Sequence, residues 1–98
     1  MSKRIEDLRL AVETMEHCKA RHESSTSIRE TFRGQTVWEG VVESFALTRY
    51  PKAKRCYAWS FQDEGETQYA ITLKIPPVES PITAVRVAIV AEVKKGKR

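Results

Sequence analysis

No apolar run in this chain approaches the ~18 residues that a bilayer span needs, and its first residues carry no apolar stretch of the signal-peptide kind. Membrane insertion is therefore not expected, and the cytoplasm is the expected compartment. Cysteine is scarce: Cys18 and Cys56 are the only two in 98 residues. Outside a secretory context such a pair reads as reduced thiols rather than a staple. His17, Cys18 and His22 are close in sequence, but no second Cys/His pair exists to complete a metal site. An HExxH, a CxxC pair and a glycine-rich phosphate loop are all missing. No metal and no cofactor are expected. With four glycines, four prolines, no internal repeat and no low-complexity tract, residues 1–98 read as one domain with one modest core.

Charge is present but unevenly placed. The formal net charge of +4 comes from Lys94, Lys95, Lys97 and Arg98, and basic and acidic residues balance in the rest. That basic tail, 94–98, is expected to fray and to aid solubility. A second concentration, Arg49, Lys52, Lys54 and Arg55, stands beside Tyr50, with no acid from Arg49 to Gln62. Cations interleaved with aromatics over 49–59 suit an anionic partner, nucleic acid included.

Hydrophobic periodicity predicts a helix from Lys3 to about His22. Ile5, Leu8, Val12 and Met15 form its stripe, Ser2 its cap, and Lys19, Arg21 and His22 its basic end. Two strands follow, Ile28 to Arg33 and Thr36 to about Leu47, joined near Gly34. The second does not keep one parity, which calls for burial on both faces or a bulge near Gly40 or Glu43. The run from Lys54 to Ile75 reads as a hairpin around Asp63-Glu64-Gly65. A three-residue loop with Gly65 left-handed is the favoured form, setting Trp59 opposite Tyr69 with every large residue on one face. A two- or four-residue loop instead shifts the pairing by one, setting Trp59 opposite Ala70 and sending the aromatic row to the face away from Tyr69, Ile71 and Leu73. Ser80-Pro81 opens a last helix over Ile82 to Lys95, with a strand as the alternative. The fold class is α+β: an antiparallel four-stranded sheet with an N-terminal and a C-terminal helix packed on one face.

Chemistry is sparse. Cys56 beside Arg55 suggests an activated thiol only until strand alternation points the two apart. Glu39 and Glu43 share a strand face at a spacing that carboxylate pairs use, but solvated strand residues are commoner. No catalytic residue is assigned.

The middle of the chain, Glu30-Thr31-Phe32-Arg33-Gly34-Gln35-Thr36-Val37-Trp38-Glu39-Gly40-Val41-Val42-Glu43-Ser44-Phe45 through Pro51-Lys52-Ala53-Lys54-Arg55-Cys56-Tyr57-Ala58-Trp59, resembles a set of small bacterial proteins of mobile, integron-type gene cassettes. The resemblance implies a bacterial cytosolic protein that self-associates, and supplies no substrate or catalytic residue. The leading expectation is a non-enzymatic interaction module, a homodimer or larger homo-oligomer, with Trp38, Val42 and Phe45 at the interface. The alternatives are a nucleic-acid-binding accessory protein using Arg49, Tyr50, Lys52, Lys54 and Arg55, and a small enzyme or small-molecule binder with its pocket between subunits.

Overall fold

The computed structural model describes residues 2–94, and the side chains of all but the last three of them. The chain runs α1 (Lys3–Glu16), β1 (Lys19–Phe32), β2 (Gln35–Thr48), β3 (Arg55–Asp63), β4 (Glu66–Leu73) and α2 (Pro81–Lys94). The strands form one antiparallel meander in the order β1-β2-β3-β4. The α+β class is as expected. None of the helices is long and apolar enough to cross a membrane among the described residues. Of the basic tail, only Lys94 falls within that range.

α1 is shorter than its periodicity suggests. Ser2 caps it by accepting from the Ile5 N–H at 3.1 Å, and Leu8 and Val12 are fully buried on its inner face. His17, left-handed at φ 57°, then stops the helix, and Cys18 N–H returns to the Glu13 carbonyl. Met15 is left exposed, and Lys19, Arg21 and His22 belong to β1 rather than to a helical end. The run Ser24-Ser25-Thr26-Ser27 explains the outcome, because hydroxyl and β-branched residues favour extended backbone. The Ala20 N–H donates to the Glu13 carboxylate at 2.8 Å and pins the strand against the helix it leaves.

The two hairpins close on two-residue turns with both central residues at positive φ: Arg33 (55°) and Gly34 (79°), Glu64 (55°) and Gly65 (82°). That is the type I′ pattern, whose twist matches the strands. The three-residue loop expected after Asp63 is corrected accordingly. Asp63 pairs with Glu66, Trp59 with Ala70 and Ala58 with Ile71.

This one-residue difference reorganises the layers. Tyr57 and Trp59 now face one way and Tyr69, Ile71 and Leu73 the other, so each face of the sheet carries apolar residues. Cys56 through Trp59 are buried consecutively, which a strand manages only when both faces are covered. α1 covers one face, packing Leu8 and Val12 against Phe45, Leu47, Cys56 and Ala58. α2 covers the other, packing Ala84 and Val85 against Ile28, Val42, Tyr57 and Trp59. The helices therefore lie on opposite faces, not on one. Each fully buried Leu, Val or Phe contributes about 1.5–3 kcal/mol over its exposed state.

α2 begins as its sequence predicts. Ser80 Oγ accepts from Thr83 N–H at 3.4 Å and Thr83 Oγ1 accepts from Ser80 N–H at 2.9 Å, a reciprocal cap with threonine in the usual Glu position. Val78, buried ahead of the cap, anchors the approach. The mixed parity of β2 is resolved by burial on both faces: Glu43, Phe45 and Leu47 toward α1, Val42 and Ser44 toward α2. The register breaks fall elsewhere, after His22 in β1 and beside Val37 in β2.

Pairing between β2 and β3 is brief. It spans only Glu43–Ala46 against Ala58–Arg55. Beyond it the β1–β2 and β3–β4 hairpins continue as separate arms.

Candidate functional site

At the end of the sheet away from the hairpin turns, strand register brings together cations from β1, from β3 and from the residue that follows β4. Arg21 pairs with Ala46, Ala46 with Arg55, and Lys74 N–H donates to the Arg55 carbonyl. Arg21, Arg55 and Lys74 thus occupy one row across the sheet, with strands spaced about 4.8 Å apart. Lys19 pairs with Thr48 just beyond, and the 49–54 loop carries Arg49, Lys52 and Lys54 past the same edge.

The carboxylates nearby are already committed. Glu23, displaced by the β1 irregularity, accepts from Arg55 Nε at 2.7 Å and faces Arg21 at 3.7 Å. The Arg55 hydrogen bond holds its carboxyl below the ordinary range. Glu13 accepts from the Ala20 N–H and from Arg9, with the backbone bond the main cause of its lowered pKa. Glu16 accepts from the Tyr50 hydroxyl, which with partial burial pushes that phenol up to about 12. Among the described residues, Lys19, Arg49, Lys52, Lys54 and Lys74 have no carboxylate within ion-pair distance. Lys19 and Arg49 line an open cleft of about 390 Å³ with Glu13, Thr14, His17 and Cys18.

Of the five basic-segment residues proposed from sequence, Arg49, Lys52 and Lys54 are exposed and unpaired. Tyr50 and Arg55 are structurally engaged. The Tyr50 ring packs on the α1 core and Tyr57 is buried under α2, so neither offers a free face for stacking a base. Sequence reading missed Lys19, Arg21 and Lys74, because only the register puts them beside the loop. The suggested interface set does not converge. Val42 and Phe45 are fully buried on opposite faces, and Trp38 is half-buried against Trp59.

A second polar cluster lies under the N-terminal part of α1. The Glu43 side chain, fully buried, accepts from Arg4 Nη2 at 2.7 Å, from His22 Nε2 at 2.7 Å and from the Ser25 hydroxyl. Burial pushes its pKa up, but the bonds from Ser25, Arg4 and His22 together outweigh that and hold it below the ordinary value. Ser, His and Glu together suggest an acyl-transfer relay, but the geometry is that of an anchor. A relay needs one imidazole nitrogen on the carboxylate and the other on the hydroxyl. Here Nε2 faces both Glu43, at 2.7 Å, and Ser25, at 3.4 Å, and the Ser25 proton goes directly to Glu43. Glu39 remains exposed.

Both thiols are biased toward the protonated form. Burial pushes Cys56 up to about 12, and burial with Glu16 and Glu13 nearby raises Cys18. Cys18 and His22 also no longer share a helix, and no group of three metal-ligating side chains occurs among the described residues. Compared with known proteins, the chain matches no family model, no curated protein and no solved structure.

Proposed function

We propose that this protein is a non-catalytic binding module that holds a nucleic-acid phosphate backbone on its basic end, in the cytoplasm of a bacterial cell. One observation carries the reading: among the described residues, five cations without a carboxylate in ion-pair distance lie at one end of the sheet, and two of them, Lys19 and Arg49, line an open cleft. Unpaired, solvated cations lose little on meeting phosphate and release its condensed counterions. With the nearby tyrosines occupied, recognition is by charge and spacing rather than by base stacking, and sequence preference is weak. The interaction-module reading loses its original interface, since Val42 and Phe45 are interior.

The test is fluorescence anisotropy with a labelled single-stranded RNA over a salt series. Five phosphate contacts predict a log–log salt slope on the order of −3. The double substitution K52E/K54E should abolish most of the binding while leaving the fold intact. Absence of binding at low salt, or binding indifferent to these two residues, refutes the reading.

A further inference from the structure

The opposite end of the molecule has a different character. Beyond Val42 and Trp59 no strand pairing joins the two arms, so the β2 edge over 35–42 and the β3 edge over 59–63 lack a partner there. Unpaired edges invite another chain. Large apolar side chains cluster at this same end: Phe32 is 62% exposed, and Val37, Val41 and Phe61 are also exposed.

The two arm tips are complementary in charge. On the β3–β4 arm Asp63, Glu64 and Glu66 are the only charged residues between Arg55 and Lys74. Asp63 and Glu66 stand directly opposite each other across the turn, and none of the three has a cation in ion-pair distance among the described residues. Like charges directly opposed weaken a hairpin. The β1–β2 tip carries Arg33, whose guanidinium lies 5.1 Å above the exposed Phe32 ring and has no carboxylate in ion-pair distance among the described residues. Behind it Glu30 is taken by Arg86, while Arg29 donates to Thr36 and faces Glu39 across the strands. Each tip therefore shows one exposed phenylalanine and charge of one sign.

We infer that a second copy of this chain covers the splayed end, the Phe32–Arg33 tip of each copy meeting the Phe61–Glu66 tip of the other. A two-fold axis satisfies both contacts at once, because the same patch serves on both subunits. Arg33 of one copy relieves the opposed carboxylates of its partner, and the phenylalanines leave water together. The contact goes beyond the polyanion reading and is independent of it, since the two surfaces lie at opposite ends of the sheet.

Sedimentation equilibrium of the full chain, without nucleic acid, tests this. The wild type should be a dimer whose dissociation constant rises with salt. R33E and E64K/E66K should each weaken it about tenfold or more, through like charges at both contacts. Mixed one to one, the two variants should regain a heterodimer, since each then meets the opposite sign. These positions are exposed turn residues, so circular dichroism should show an unchanged fold. A wild-type monomer up to the solubility limit overturns the inference, as does failure of the mixture to reassociate. Dissociation by K52E/K54E but not by R33E also overturns it, by indicating a head-to-tail contact through the basic end.

Discussion

The Trp38 ring stands edge-on to Trp59, with centroids 5.5 Å apart and planes at 75°, and it reaches that position by lying over Gly40. A Cβ at Gly40 would sit 3.0 Å from Trp38 Cη2, so alanine there must displace the ring. The indole pair bridges the point where the two arms part, and glycine is what lets it close. Gly40→Ala should destabilise by about 1–3 kcal/mol, overpacking outweighing the entropy gain of losing a glycine. Urea unfolding measures the loss, and an altered tryptophan emission places it at this pair. An unchanged midpoint with unchanged emission would show that the ring is free to move.

The Glu64-Gly65 turn makes a second prediction. Glu64 is left-handed at φ 55°, a conformation that costs most side chains roughly 1 kcal/mol and that asparagine tolerates best. Glu64→Asn should raise stability by about 0.5–1 kcal/mol in a monomeric background, read as a shift in the urea midpoint without change in slope.

That turn also marks the boundary of what the sequence discloses. Two helices, four strands, the Ser2 and Ser80 caps and the left-handed Gly34 follow from local signals: periodicity, capping chemistry and turn residues. Glu64 carries no signal of its own conformation, and the register of a whole hairpin turned on it. One residue of loop length decided which face the aromatic row took, and with it that the helices lie on opposite faces. The end of α1 was hidden for a similar reason. His17 is an unusual left-handed stop, and Lys19 and Arg21 suit a helical C-terminus as well as a strand. At the basic end the loop cations were legible, but Lys19, Arg21 and Lys74 join them only through pairing between distant strands. The Glu43 cluster was illegible in the same way, its partners coming from α1 and β1 to a carboxylate on β2.

Glu23 offers a gain-of-function test of the basic end. Its carboxylate engages Arg55 at 2.7 Å and stands among Arg21, Arg55 and Lys74. Glu23→Gln removes that negative charge and frees the Arg55 guanidinium for a phosphate. RNA affinity should rise several-fold at low salt, and the salt slope should steepen by up to ~0.7, the increment for one added contact to a single strand. Anisotropy titrations at several salt concentrations measure both quantities. Weaker binding would mean that Glu23 positions Arg55 rather than restraining it.

Glu43 ties stability to acid. Its folded pKa is depressed below the ~4.3 of an unfolded glutamate, so the ionised form contributes stability that is fully present above the unfolded value. That contribution disappears as pH falls through the folded value, because the protonated acid releases Arg4, His22 and Ser25. Glu43→Gln should cost about 1–3 kcal/mol at neutral pH, since the amide accepts fewer bonds and directs its own donors at Arg4 or Ser25. The gap between variant and wild type should begin to narrow as pH falls below the unfolded value and should close once it has passed through the depressed folded one. Glu13 and Glu23, also held low by their hydrogen bonds, keep some acid sensitivity in both proteins. Urea unfolding from neutral pH to pH 3 measures the gap between the two curves. A gap that stays constant across that range would mean that the three partners hold the protonated side chain as well as the charged one.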